Sequence, residues 1–449
     1  MISYIIKWKI IEIKRFVLDD LAIRKEVRDM QGELQKEKSL DYIGKLLLPV
    51  KVSPHFKFLW IGQLLSTLGS SITMVILPVV VYSLTGSTVV MGMTMAMYML
   101  PNILALPFAG LVVDRIDRVK VMLFTDIIRC IIMLLLAKLI FMDVLTIPLL
   151  YVLVALYGFM EGIFQPAYAA VRAKVFVPEI RNTANVLTQM SNQGIRLIGP
   201  ALGGLIVSVA SAGIGFGLDA VTYLLSFLCL LFLREIKFKK VKPIEKSKVD
   251  YKQEFMEGVL VLKSHPWLWI TILVFSFINI CYAGIIVVLI PWLFNVHHHF
   301  EAYVYGLGMA SSGGGAVIAA LIFGGKERWR KRGLLAYGGV LISGCALLMM
   351  PFITWAPALI ALMAIEGFGM MIFGLVWETS LQELVPEEAF WRVASFDMLG
   401  SFALLPLGYV VVGWLANVIG GEVIIITLAI LVILTIGIAL SVPSIRRFD

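Results

Sequence analysis

The stretch GLVVDRIDRVK, residues 110–120, sets five charged residues between two apolar runs, each long enough to cross a membrane. It reads as a tight hinge between two membrane helices. Gly110 is expected to let those helices approach closely, Asp114 to accept from backbone N–H groups or an arginine, and Arg115, Arg118 and Lys120 to hold the turn on the cytoplasmic face.

Composition agrees with that reading: the 449 residues are 60% hydrophobic and only 15% charged, with a mean hydropathy of +0.92, far outside the soluble range. About 20 mostly apolar residues make one crossing. Twelve such segments follow one another, centred near residues 70, 98, 131, 159, 197, 224, 280, 313, 342, 369, 403 and 431. They are too long for barrel strands and lack strict alternation, so α-helices are the spanning solution. The expected fold is an all-α membrane protein of twelve transmembrane helices in two pseudo-symmetric six-helix bundles.

Orientation follows from the 38 lysines and arginines. Only Arg129, Lys138 and Arg196 lie inside apolar segments; the rest fall in the first 57 residues, in alternate loops near 115, 175, 235–263, 326–332 and 392, or at Arg446 and Arg447. These regions are expected to be cytoplasmic, with both termini inside a cell membrane that the chain crosses many times. The net charge of +8 then serves topology and anionic lipid headgroups, and nucleic acid is not an expected partner.

Several chemistries are excluded by what the chain lacks. No Gly-x-x-x-x-Gly-Lys-Ser/Thr nucleotide motif, serine elbow or zinc signature occurs, so neither an enzyme nor a cofactor is expected. His297, His298 and His299 form the one metal-like cluster, but three adjacent histidines cannot all reach one ion. A solvated, mildly pH-sensitive loop is expected there. Cys130, Cys229, Cys281 and Cys345 all fall in apolar segments and are expected to act as buried small apolar residues.

The first 55 residues differ from the rest. Ile2, Ile6, Ile10, Ile13 and Val17 recur at helical spacing against Lys7, Lys14 and Arg15, which suits a helix lying in the inner membrane interface; residues 18–40 read as a solvated charged helix. A dispensable extension and a partner-docking arm both fit. The remainder is duplicated: VFVPE at 175–179 recurs as ELVPEE at 383–388, each after an apolar helix carrying a Glu-Gly pair, Glu161-Gly162 and Glu366-Gly367. The organisation expected is an extension at 1–55, a six-helix bundle at 56–235, a basic linker at 236–264, a second bundle at 265–442 and a tail at 443–449. Parallel repeats of this kind place a substrate site near the membrane midplane between them.

At this point the chain resembles the major facilitator superfamily, and more narrowly its macrolide-efflux and enterobactin-exporter-like branch. GLVVDRIDRVK looks like the superfamily signature between helices 2 and 3, YSLTGSTVVMG at 82–92 is similar to the branch's first outer turn, and VPEIRNTANVLTQ at 177–189 to its inner loop between helices 4 and 5. In the fifth segment GIRLIGPALGG, with Gly194, Arg196, Gly199, Pro200, Gly203 and Gly204, resembles the glycine-proline signature of proton-coupled antiporters. The resemblance implies a monomeric bacterial exporter of amphipathic small molecules, working by alternating access and proton antiport. It also implies that Asp114 engages the inner end of helix 11, near Asp397.

Each signature has its own physics. Pro200 lacks an N–H and kinks its helix, while the glycines permit close packing, either as part of a moving seam or merely as in any membrane bundle. The chain also departs from the pattern. GGKERWRKR at 324–332 keeps the glycine and basic residues of a second hinge but loses the Asp, and LYGFMEGIFQP carries Glu161 where many drug antiporters have an arginine.

Coupling must then rest on intramembrane charge. A carboxylate at mid-bilayer costs about 2.5–3.5 kcal/mol, so such residues face a cavity or a partner. Glu161 and Glu366 qualify as proton carriers, because burial penalises the charged form and flooding restores it. The alternative is a permanent structural pair, for instance Glu161 with Arg196. Asp126 and Arg129, three residues apart on one helical face, are expected to form a gate or structural pair. Candidate substrate-lining residues are Gln63, Gln165, Asn279, Tyr282 and Trp377, a few polar groups in an apolar cavity. Three functions remain open: a proton-driven exporter of amphipathic drugs such as macrolides, a dedicated exporter or flippase of one compound such as a siderophore or lipid, and a transport-inactive sensor or scaffold.

Overall fold

The computed structural model describes residues 46–234, 265–324, 331–385 and 387–446, with residues 44, 256 and 263 beside them; the side chains of residues 111–115 and 387–392 are not described. The expected helices at 1–17 and 18–40 and nearly all of the 236–264 linker therefore lie outside the described residues.

Regular structure among the described residues is helical. The long helices are α1 (Pro54–Thr85), α2 (Thr88–Arg115), α3 (Arg118–Phe141), α4 (Ile147–Val175), α5 (Arg181–Val209) and α6 (Ala212–Leu231), then α7, which starts as Pro266–Ala283. They are followed by α8 (Ala302–Phe323), α9 (Arg332–Met349), α10 (Ala356–Leu384), α11 in two pieces (Glu387–Phe402 and Leu405–Ile419) and α12 (Gly421–Ser441). Local chemistry sets the ends. Ser53 Oγ accepts from the Phe56 N–H at 3.2 Å ahead of Pro54, and α1 closes on Gly86 at φ 62°, the left-handed backbone that glycine takes without penalty. Helix α7 continues to His297 through two π-helical stretches, Gly284–Leu289 and Leu293–His297, on either side of Pro291, whose missing N–H interrupts regular α pairing.

Ten of these helices are long and apolar enough to cross a membrane by length and composition, two fewer than the twelve expected. The exceptions are α3 and α5. Helix α3 buries Asp126 and Arg129, and α5 carries Asn182, Asn185, Gln189, Asn192, Gln193 and Arg196. Their polar groups turn inward to partners or to the space between the bundles, which is where a membrane protein keeps them.

Within the first bundle α2 packs on α4, α3 on α6 and α1 on α5 and α6; within the second α8 packs on α10, α9 on α10 and α12, and α7 on α12. The bundles meet along α5 with α8 and α2 with the Leu405–Ile419 piece of α11. That seam is one-sided. At the lysine-poor end, where the loops near 85, 210, 298 and 419 lie, the Tyr82 hydroxyl donates to the Val288 carbonyl at 2.5 Å and Thr88 Oγ1 to the Gly413 carbonyl at 2.8 Å. The Tyr303 N–H also donates to Ser208 Oγ at 2.9 Å. Gly204 packs so closely on α8 that an added Cβ would sit 2.9 Å from the Gly306 Cα, and one on Gly413 would sit 3.4 Å from the Gly92 Cα. Toward the lysine-rich end Gln189 and Arg196, on the face of α5 that meets α1 and α8 higher up, are exposed, so the bundles diverge there.

Candidate functional site

The polar residues of α5 recur at helical spacing on one face. Just above them, Gly199 and Gly203 meet Ser71 and Ile72 of α1, and Pro200 and Gly204 meet Gly306 of α8. The stripe therefore points between α1 and α8, into the opening. Arg196 stands at its upper end, exposed, with no ion-pair partner among the described residues, its backbone carbonyl 3.0 Å from where a Cβ on Gly313 would be. Gly194 meets nothing within 4 Å.

Inside the first bundle, Arg129 donates to both Asp126 and Glu161. Its guanidinium lies 4.1 Å from the Phe164 ring centre and 4.6 Å from that of Tyr223, so aromatic faces cover what the carboxylates do not. Ser226 Oγ donates to Asp126 at 2.7 Å, and Gln165 Nε2 donates to Glu161 at 2.6 Å. Glu161 retains 18% exposure and Gln165 is exposed, which brings this network to the edge of accessible space. The arginine partner of Glu161 is thus Arg129 and not Arg196, because Arg129 reaches it from the neighbouring α3 while Arg196 lies on the seam face of α5. Asp126 and Arg129 sit in the bundle interior, away from the seam.

The second bundle handles its glutamate differently. Glu366 is 3% exposed and accepts from Ser312 Oγ at 2.7 Å, with no lysine, arginine or histidine paired to it among the described residues. The glycine after each glutamate does the same work in both halves. A Cβ on Gly162 would run into the Asn102 backbone of α2, and one on Gly367 into the Ser312 backbone of α8.

Other expected site residues are distributed as follows. Gln63 Nε2 donates to Thr67 Oγ1 at 3.0 Å within its own helix, and Asn279 and Tyr282 are half-buried on α7. Trp377 does not line the opening: it is buried against Phe373 and Trp267, and its indole N–H donates to Asp397 Oδ2 at 3.2 Å. Asp397 thus engages α10. Asp114 and Arg115 fall among the side chains outside the description, but the backbone N–H groups of the hinge are capped by Asp117, which accepts from Val119 at 2.9 Å and Lys120 at 3.3 Å. Gly110 meets nothing within 4 Å, so the expected close approach is not made there; Gly92, Gly158 and Gly162 carry the tight contacts of α2. At the matching place in the second bundle Arg332 donates to Glu383 Oε2 at 2.6 Å, joining α9 to α10.

Two further expectations need correction. Cys345 is exposed and Cys229 half-buried, with its Cβ against Gly62 of α1; Cys130 and Cys281 are buried. At the lysine-poor rim His297 Nε2 lies 2.7 Å from Glu422 of α12, so the histidine loop is tied down and not simply solvated. Burial, and then neighbouring His297, pushes the His298 imidazole below its ordinary range.

One group escaped the sequence reading. Asp219 of α6 is fully buried, accepting from Thr73 Oγ1 at 2.5 Å and Thr222 Oγ1 at 3.2 Å. It is the only acid in its helix, and the rule that singled out Glu161 applies to it equally.

The family model of the Major Facilitator Superfamily matches residues 59–404. A Bacillus amyloliquefaciens protein named as a bacilysin exporter, BacE, is 31% identical over 48% of this chain; the chain spans about half, 53%, of that relative's length. Macrolide efflux protein A of Streptococcus pyogenes is 24% identical over 81% of this chain and 90% of its own, and the multidrug efflux pump Tap of Mycolicibacterium fortuitum 23% over 85% and 94%. Among solved structures, a bacterial homologue of the iron transporter ferroportin in an inward-facing state superposes with a TM-score of 0.66 at 14% identity, covering 85% of this chain and 97% of that one. At that identity the likeness concerns the fold.

Proposed function

The chain belongs to the Major Facilitator Superfamily, within an efflux-type branch, and from that premise we propose that it is a secondary active exporter of amphipathic small molecules, macrolides among them, driven by proton antiport across the cell membrane. Relatives named for macrolide and multidrug efflux support the substrate class. The observation that carries the reading is the one-sided seam: closed by glycine-tight contacts at the lysine-poor end, open over the polar face of α5 at the lysine-rich end.

The positive-inside rule makes the lysine-rich end cytoplasmic, so this conformation is the inward-open one, ready to load substrate from the cytoplasm or inner leaflet. Substrate would lie against Gln165, Gln189 and Arg196, with Gln63, Asn279 and Tyr282 nearby. Export needs the outer contacts at Tyr82, Thr88 and Gly204 to part while α2, α5, α8 and α11 close below, with Asp114 as the cytoplasmic latch in the hinge. Glu366 carries the coupled proton: it is buried and, among the described residues, has a hydroxyl partner and no cation to neutralise it if ionised. Glu161 is held by Arg129 and serves as the structural counterpart.

The test is macrolide accumulation in a pump-deficient bacterial host expressing the protein, with and without an uncoupler. Low accumulation that rises to the control level on uncoupling is expected. Accumulation equal to that of the empty host in both conditions overturns the reading.

A further inference from the structure

We propose that Asp219 is a second proton-binding carboxyl, set among hydroxyl groups near the Arg129–Glu161 pair, so that the first bundle holds a proton of its own. The proposal rests on the proton-coupled reading above and adds a site to it.

The first observation is a charge count within one dry core. Asp126, Glu161 and Asp219 face a single guanidinium, and Arg129 spends both of its terminal nitrogens on Asp126 and Glu161. Asp219 is left with the hydroxyls of Thr73 and Thr222. The titratable and charged groups around it are Asp126, Arg129 and Cys130 from α3, Tyr157 and Glu161 from α4 and Tyr223 from its own helix; Arg129 is the only cation in that set. An ionised carboxylate without a cation in such a place costs several kcal/mol, which the neutral acid avoids.

The second observation is that the backbone makes room for this carboxyl. Gly69 of α1 lies against it, and a Cβ there would sit 3.1 Å from the Asp219 Cγ and overlap its oxygen and the Thr222 hydroxyl. The third is the hydroxyl setting. Thr73 and Ser70 border, with Tyr98, Tyr157 and apolar side chains such as Met95, Leu136 and Phe216, a cavity of about 20 Å³. Ser70 Oγ and Tyr157 Oη each lie 2.8 Å from Tyr223 Oη, and the Tyr223 ring faces Arg129. Hydroxyls thus stand on both sides of the cavity, Thr73 beside Asp219 and Ser70, Tyr157 and Tyr223 on the side of the Arg129–Glu161 pair.

Infrared difference spectroscopy of the full-length protein in lipid nanodiscs, between alkaline and acid pH, tests this by counting protonated carboxyl C=O bands. Asp219→Asn is expected to remove one band and leave that of Glu366, while Glu366→Gln removes the other. Thr73→Val, which deletes a hydroxyl and keeps the carboxyl, is expected to shift the Asp219 band without abolishing it and serves if Asp219→Asn does not fold. A spectrum unchanged by both Asp219→Asn and Thr73→Val overturns the proposal. A spectrum unchanged by Glu366→Gln instead overturns the carrier assigned above and leaves the Asp219 result readable.

Discussion

Glu161 and Glu366 occupy matching places in the two halves, each followed by a glycine that lets its helix lie on a neighbour's backbone, yet one is locked to an arginine and the other has only a serine. The duplication has kept the backbone contact and let the charge diverge. Among the described residues, the first bundle compensates its glutamate and leaves Asp219 without a cation, while the second leaves the glutamate itself uncompensated. A buried carboxyl without a cation favours its protonated form, whereas one held by a guanidinium favours the ionised form. If Glu366 carries the coupled proton as proposed, structure and proton traffic are divided differently in the two halves.

The sharpest way to break this contrast is to remove the compensating charge. Arg129→Met leaves Asp126 and Glu161 buried without a cation and is expected to cost about 3–5 kcal/mol, whereas Ser312→Ala, which strips Glu366 of its hydroxyl, is expected to cost about 1–3 kcal/mol. Thermal unfolding of the purified variants in detergent measures both. Equal losses would mean that the two glutamates are not in different settings after all.

Function should divide the other way. Coupling free energies of about 1–3 kcal/mol correspond to about 5–150-fold, and proton-driven macrolide efflux by Glu366→Gln should fall within that range while Glu161→Gln stays coupled. Efflux from vesicles under an imposed pH gradient, compared with exchange in its absence, separates coupling from translocation. If Glu161→Gln uncouples and Glu366→Gln does not, the roles are reversed.

The backbone half of the comparison is tested by glycines. Gly162→Ala and Gly367→Ala should each cost about 1–3 kcal/mol, since the added methyl meets backbone that cannot turn aside. Gly110→Ala, with nothing within 4 Å, should be neutral or stabilise α2 by about 0.5–1 kcal/mol. Thermal unfolding again decides, and a destabilised Gly110→Ala would restore the close approach expected of the hinge.

These residues also mark how far the sequence could be read. Apolar segments, alternating basic loops and the Glu-Gly repeat made the twelve helices and their two-fold grouping legible, because each depends on local pattern and membrane thickness. Which arginine meets Glu161 was not legible: Arg129 and Arg196 are both intramembrane cations, and only the order of helices in the bundle puts α3 and not α5 beside α4. Trp377 read as pocket lining for a related reason, since an indole that reaches Asp397 inside the bundle has the same sequence signature as one facing a cavity. Gly110 looked like a contact glycine because contact glycines and unconstrained ones differ only in what lies opposite. Asp219 was legible and overlooked, as a lone acid in an apolar helix carries its signal without any partner in sequence.

The smallest effect lies at the lysine-poor rim, where the two halves again differ. The first bundle starts α6 with a neutral cap, Ser211 Oγ accepting from the Ile214 N–H at 3.2 Å, while the second joins α7 to α12 through His297 and Glu422 with His298 alongside. His298 sits below the ordinary imidazole range because burial, and then His297, disfavours its charged form. The open turn therefore takes up a proton more readily than the folded one, so stability contributed here is present above the ordinary imidazole pKa of about 6.5 and is lost progressively as pH falls from there through the lower folded-state value. Hydrogen exchange across residues 293–300 should accelerate on acidification while the Ser211 turn does not respond. In His298→Gln that acid sensitivity should flatten, with Glu422→Gln separating the contribution of the neighbouring pair; a turn that loosens equally in acid without His298 places the titrating group elsewhere.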